Sequence, residues 1–276
     1  MNGKQILRWL GVASALGVAL SFVLAPFLWQ VVTALKPESQ LVQLPPLLPH
    51  PPTWAHFGTV LGSPEFLRAC LNSTFIAGGT VTASLLLGLP AAFALAKLRL
   101  RGSHLILSIM LCLSMFPPIA NVAPLYLLFI RLGIRDQVLG VVIAHTVYVL
   151  PFTIWILTSF LREIPDDLYR AARIDGCSNL RILRHVVVPL AGPGLASVGL
   201  LAFVFSWNEF LYAFTLTASD RSRTLPVAIA LFPGYHAIPW GDIAAAAVLA
   251  TLPTVALVLA FQKQIISGLT AGSVKS

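Results

Sequence analysis

The stretch ACLNSTFIAGGTVTASLLLGLPAAFALA, Ala69–Ala96, contains no Asp, Glu, Lys or Arg. About 20 apolar residues in a helix cross the hydrocarbon core of a bilayer, and this run is longer. Five further charge-free runs of at least twenty residues accompany it: Trp9–Leu35, Gly102–Ile130, Gln137–Leu161, Val186–Asn208 and Ile243–Gln262. None alternates with the period of two that a transmembrane barrel strand needs, so each reads as a helix that satisfies its own backbone in lipid. The composition agrees. Of 276 residues, 57% are hydrophobic and 10% charged, against about 25% charged in soluble domains. Too few charges remain to cover a water-facing surface. The fold class is therefore an all-α polytopic membrane protein with six transmembrane helices, and residues 1–276 read as a single membrane domain.

Two other uncharged stretches do not read as spans. Ser39–Pro64 holds six prolines, and Thr224–Gly241 holds Pro226, Pro233 and Pro239. Proline at this density breaks the helical ladder, so both read as structured loops. Within the spans, Asn72-Ser73-Thr74 reads as the N-cap of the second helix in preference to a glycosylation site. Met115-Phe116-Pro117-Pro118, followed by Pro124, predicts a kinked third helix packed within the bundle. Gly192, Gly194 and Gly199 permit close helix contact in the fifth.

Lys and Arg set the orientation. With the N-terminus inside, the inner segments carry Lys4, Arg8, Lys97, Arg99, Arg101, Arg162, Arg170, Arg173, Arg181, Arg184, Lys263 and Lys275; the outer ones carry Lys36, Arg68, Arg131, Arg135, Arg221 and Arg223. This excess inside predicts cytoplasmic termini. The net charge of +8 then reflects topology and anionic lipid, not nucleic acid. Cys70, Cys112 and Cys177 form no CxxC pair, and no histidine spacing suggests a metal site.

Ile164–Pro189 is the exception to this apolar chain. Pro165 suits a first helical turn, and Asp166 and Asp167 suit the positive end of a helix dipole. Leu168, Ala171, Ala172 and Cys177 offer one apolar face. Asp175-Gly176 reads as a helix end, and Asn179–Val188 as a second short helix with Leu180, Leu183 and Val187 on one side. Two short helices lying across the cytoplasmic face result. They are either an interfacial element on headgroups or a docking element for a protein.

The order Ala171-Ala172, Asp175-Gly176, nine residues, then Val186 and Val188-Pro189 resembles the EAA loop of permeases in binding-protein-dependent ABC importers, in particular the carbohydrate (maltose/trehalose-type) branch. PPIANVAPLY (117–126), SWNEF (206–210) and the tail FQKQIISGLTAGSVKS (261–276) extend the likeness along the chain. The resemblance implies a permease subunit in a bacterial or archaeal plasma membrane, importing a sugar delivered by an extracytoplasmic solute-binding protein. A polyol, glucosylated osmolyte or glycerol phosphate is an alternative solute. A homologous second permease and two ATP-binding subunits complete such an assembly, with ATP and Mg handled by the latter and no cofactor bound by this chain. Residues 164–189 are then a coupling loop, and Arg170, Ala171, Ala172, Asp175, Gly176 and Pro189 its ATPase-docking residues. Arg170 stands where the family carries glutamate. Asp166 or Asp167, one helical turn back, offers it a partner, and an acidic residue on the ATPase is the alternative.

For the solute, Glu209 is the one acidic residue well inside a predicted span, beside Trp207 and Asn208. A buried charge faces a wet cavity or a partner. Trp207 could stack on a sugar ring, with Asn208 and Glu209 accepting hydroxyl protons; equally, Trp207 could anchor at the membrane interface and the polar pair could join helices. Counting about 1.5 Å per residue from Gly194 puts Trp207 roughly 20 Å along the helix. Asn121 and Tyr148 are further pathway candidates, and His145 reads as a packing residue. In the outer loop FPGYHAIPW (232–240), Phe232, Tyr235 and His236 are candidates for docking the binding protein. The chain contains no GxxxxGK[ST] phosphate loop, HExxH or GxSxG motif, so it reads as a transport subunit and not an enzyme. A secondary transporter is the competing class, but it needs ion-coupling acids and paired halves, which the chain lacks.

Overall fold

The computed structural model describes residues 3–41, 47–98, 100–232 and 238–271, and among these no strand occurs. The helices are α1 (Gly3–Ala34), α2 (Glu38–Leu41), α3 (Ala55–Gly62), α4 (Pro64–Lys97), α5 (Ser103–Ser114), α6 (Pro118–Arg131), α7 (Val138–Glu163), α8 (Asp166–Ile174), α9 (Asn179–Ile182), α10 (Val188–Leu190), α11 (Gly192–Asn208), α12 (Leu211–Leu216), α13 (Leu225–Ala230) and α14 (Trp240–Ala271). A π-helical turn, Leu183–Val187, joins α9 to α10. Among the described residues, four helices are long and apolar enough to cross a membrane: those over Trp9–Ala34, Pro64–Lys97, Val138–Glu163 and Trp240–Lys263.

The other two expected spans are bent pairs. α5 and α6 meet at 88°, and Asn179–Leu190 meets α11 at 83°. The expected kink in the third span is thus a break. Met115 closes α5 with its N–H on Leu111 and Cys112 carbonyls. Pro117 and Pro118 then offer no N–H, and the residue before a proline avoids the α region, so Pro117 turns extended (ψ 122) before Pro118 opens α6. At the second bend Pro189 again lacks a donor, and Val188 N–H reaches back five residues to Leu183. Other expectations also shift. The Pro-rich loops contain α3 and α13. Asn72-Ser73-Thr74 does not cap α4, which already begins at Pro64.

The chain divides into two compact units, 1–66 with 229–252 and 67–228 with 253–276. In the first, His56 of α3 is buried and bonds Asp242 Oδ1 through Nδ1 (2.7 Å) and the Lys36 carbonyl through Nε2 (3.0 Å). A Cβ at Gly241 would fall on the His56 ring, so only glycine admits this contact. Lys36, itself buried, lies 4.7 Å over the Trp29 ring.

In the second unit, one core joins Ala92, Phe93, Leu157 and Leu161 of α4 and α7 to Ile182, Leu183 and Val187. The polar segment is thus rooted in the bundle. Ile182 lies in the core and Leu180 points outward, 74% exposed, which reverses the expected role of Leu180. A second core near the opposite end of α7 gathers Ile76, Phe129, Val141, Ala144 and Tyr212.

There the polar residues of α4 find their use. Asn72 Nδ2 donates to the carbonyls of Asp220 (3.1 Å) and Arg223 (2.9 Å), and Ser73 Oγ accepts from Leu225 N–H. Asp136, at φ 59, accepts from Ala218 N–H, Ser219 N–H, Ser219 Oγ and Ser222 Oγ at 2.6 to 2.9 Å. Burial pushes its carboxyl up, but the Ser222 hydroxyl, the two N–H groups and the Ser219 hydroxyl outweigh it and hold the carboxyl well below the usual carboxylate range. A group depressed on folding stabilises fully above its unfolded value, about 3.9 for Asp, and that contribution fades as pH falls toward the folded value. Asp136→Asn should therefore melt lower than the parent protein at pH 6, with the gap closing progressively below about pH 4. Thermal melts of the purified protein across that range check it.

Candidate functional site

The segment after α7 is organised by one lysine. Lys97, the last residue of α4, has a side chain only 3% exposed, and its Nζ donates to the Ile164 carbonyl (2.5 Å) and Asp166 Oδ1 (2.8 Å). Ile164 closes α7 and Asp166 opens α8, so this ammonium fixes the corner where the segment leaves the bundle. α8 ends in a left-handed cap. Gly176 has φ +77, with Cys177 N–H on the Ala172 carbonyl and Gly176 N–H on Arg173, the Schellman arrangement that favours glycine. Ser178 then caps α9 through Arg181 N–H. Tyr169 Oη and Arg173 Nη1 both reach Asn179 Oδ1, at 3.2 and 3.4 Å, cross-linking the two short helices.

Of the expected docking residues, Arg170, Ala171, Asp175, Gly176 and Pro189 are exposed. Ala172 is not: it packs into the chain's own core, so it holds α8 to the bundle and offers nothing to a partner. Ile174 at 86% and Leu180 at 74% are the most exposed large apolar side chains of α8 and α9, and Leu168, expected on the apolar face, is also exposed; pattern reading alone did not single out Ile174. Arg170 Nη1 lies 3.8 Å from Asp167 Oδ1, the intrahelical pairing expected for it. Both side chains are well exposed, and such a pair contributes little.

The second site lies between α5, α6, α7 and α12. A cavity of about 640 Å³ is lined by Asn121, Tyr148, Tyr212, Ser114, Phe116 and otherwise apolar side chains. Asn121 and Tyr148, named from sequence, do meet here. Tyr212, which the sequence reading missed, completes the site: its ring centroid lies 5.9 Å from that of Tyr148 at 61°, and it lines the same cavity as Asn121. Its signal was its place three residues after Glu209. The cavity wall carries no charged side chain. A neighbouring cavity of about 530 Å³ shares Tyr148 and Tyr212 and adds Asn208 and Glu209.

The other pathway candidates are placed differently. Trp207 is 4% exposed and stacks on Phe203 at 5.5 Å and 17°, so it is core, not a sugar platform. Asn208 Nδ2 donates to the Val204 carbonyl. Glu209 sits at the break between α11 and α12, where its two oxygens accept from Tyr212 and Ala213 N–H (2.8 and 3.0 Å). His145 Nε2 meets Glu209 Oε2 at 2.9 Å. Phe232 is half-buried; Tyr235 and His236 lie outside the described residues. Among the described residues no cluster of His, Cys, Asp or Glu has the form of a metal site.

The chain as a whole is similar to known permeases. The chain is 38% identical over 260 residues, 94% of both chains, to the trehalose transport system permease protein SugB of Mycobacterium tuberculosis. It is 36% identical over 278 residues, 100% of this chain and 99% of the other, to the trehalose/maltose transport system permease protein MalG of Thermococcus litoralis. The sulfoquinovosyl glycerol transport system permease protein SmoH of Agrobacterium fabrum is 38% identical over 91% of this chain and 89% of its own length. A chain of a bacterial ABC transporter that imports the polysaccharide alginate superposes with a TM-score of 0.81, covering 95% of this chain and 98% of the other at 24% identity; it shares the fold. Residues 84–270 match the family described as the binding-protein-dependent transport system inner membrane component. The chain belongs to that family, as a multi-pass transport subunit of the inner membrane and not an enzyme.

Proposed function

We propose that this chain forms half of the translocation pathway of an ATP-driven importer for a neutral sugar, a di- or oligosaccharide. The observation that carries the solute assignment is the cavity of about 640 Å³ walled by two tyrosines, a phenylalanine, an asparagine and a serine, with no charge. Aromatic rings pack against the C–H faces of a sugar, while amide and hydroxyl groups exchange hydrogen bonds with its hydroxyls. A glycerol phosphate would want a cation there. The trehalose and maltose names of the relatives point the same way.

The rest of the assembly follows from the family. A loaded binding protein docks outside, where Phe232 begins the candidate docking loop. A homologous permease faces this one across the pathway. Two ATP-binding subunits engage the exposed part of residues 164–189 on the cytoplasmic side; the excess of Lys and Arg supports cytoplasmic termini as well. ATP and Mg act on those subunits, and their closure moves α8 and α9, turning the cavity from inward to outward access.

Proteoliposomes holding the complete transporter and its binding protein test this with trehalose as the probe. ATP-dependent uptake is expected, falling about tenfold in both Tyr148→Ala and Asn121→Ala while the complex still assembles. Uptake driven by a proton or sodium gradient without ATP would overturn the importer reading, and wild-type uptake by both variants would overturn the pathway.

A further inference from the structure

His145 of α7 is fully buried, and it is not isolated. Its Nδ1 lies 2.8 Å from Ser206 Oγ on α11, whose hydroxyl in turn donates to Thr80 Oγ1 on α4 at 3.3 Å. Its Nε2 lies 2.9 Å from Glu209 Oε2, and that side chain is only 9% exposed. The Glu209 carboxylate, already accepting two backbone N–H groups, takes a further hydrogen bond from His145 Nε2, and the other ring nitrogen is tied through Ser206 to α4.

This pair sits where the backbone needs it. α11 stops at Asn208 and α12 starts at Leu211, with Glu209 extended between them (ψ 127). A helix start exposes N–H groups, and in an apolar bundle they must be satisfied from within. Glu209 satisfies two of them, at Tyr212 and Ala213. One of those two residues, Tyr212, carries the ring that closes the cavity against Tyr148. An isolated carboxylate would be costly here, and the hydrogen bonds from His145, Tyr212 N–H and Ala213 N–H offset that cost.

We propose that His145 and Glu209 are a positioning pair. By clamping the break between α11 and α12 to α7 and α4, they hold Tyr212 at the angle at which it and Tyr148 grip the solute. This rests on reading the cavity as the solute pathway. Neither residue touches the solute in this role; both act through Tyr212.

A double-mutant cycle in the complete reconstituted transporter, with trehalose as the probe, separates this from a merely structural role. Glu209→Gln and Tyr212→Phe are each expected to lower uptake about five- to tenfold, and the double variant to be no worse than about twofold below the poorer single. Multiplying losses, 25-fold or more, would overturn positioning through Tyr212. His145→Gln, which keeps an N–H for Glu209, should retain at least a third of wild-type uptake, while His145→Ala loses at least tenfold. Equal loss in both, or in neither, would also refute the pair. Co-purification with the ATPase subunits distinguishes these results from failed assembly, and Glu209→Gln, which preserves an oxygen for the α12 N–H groups, keeps the cycle readable if His145→Ala does not assemble. Failure of the pathway reading is seen separately, as wild-type uptake by both Tyr148→Ala and Asn121→Ala.

Discussion

Lys97→Met should leave ATP hydrolysis running and cut trehalose uptake at least tenfold, so that the uptake per ATP hydrolysed collapses. The side chain is 3% exposed and its ammonium is bound at the corner between α7 and α8. Methionine fills much of the same volume, so the core of α4 is kept. What disappears is the tie. The Ile164 carbonyl loses a charged donor, which costs about 1–3 kcal/mol if it stays unpaired. Asp166 is 56% exposed and can turn to water, so the charge itself contributes at most about 1 kcal/mol. The effect is therefore geometric: α8 keeps the exposed residues proposed to meet the ATPase but is no longer tied to α4. Asp166→Asn, which keeps an oxygen for Lys97, should reduce uptake less than threefold. Measuring uptake and hydrolysis in the same proteoliposomes decides it, and a Lys97→Met protein with a normal ratio would show that the tie carries no motion.

The apolar helices were legible because a charge-free run of twenty residues without clustered proline suits only the inside of a bilayer, and each of the six such runs became a long helix or part of a bent pair; Ser39–Pro64, equally free of charge, was set apart by its prolines. Angles were not legible. Pro117-Pro118 announced a disturbance, but whether two prolines give a kink or an 88° break depends on what the second half packs against. Asn72-Ser73-Thr74 misled for a related reason. Those side chains look like caps locally, yet their partners, Asp220, Arg223 and Leu225, lie some 150 positions away. Trp207 shows a third limit: rise along a helix fixes depth, but rotation about the axis decides whether a ring faces a cavity or Phe203. His145 read as a lone histidine because Glu209 is 64 residues on. The two short helices of residues 164–189, by contrast, were largely readable, since Asp-Gly, Pro165 and Pro189 mark local backbone events that need no distant partner.

Gly176→Trp should abolish co-purification of the ATPase subunits and all ATP-driven uptake while leaving membrane insertion intact. Two separate costs meet at this position. Gly176 has φ +77, and an L-residue in that conformation costs roughly 1–2 kcal/mol; asparagine bears it best. Space is the second. A Cβ at Gly176 meets nothing within 4 Å, so an added side chain meets no wall of this chain and projects outward beside Arg170, Ala171 and Asp175, where the partner is expected to sit. The series Gly176→Asn, Gly176→Ala, Gly176→Trp resolves the two. If docking geometry alone depends on the turn, Asn keeps at least half of wild-type uptake and Ala loses a few-fold; Trp adds bulk that no adjustment of φ removes, and binding is lost outright. The spans are untouched in all three, so each variant should reach the membrane in equal amount. A tryptophan variant that still purifies with its ATPase subunits at the parent stoichiometry would place the docking surface elsewhere than residues 164–189, and the buried tie at Lys97 would then be a feature of folding and not of coupling.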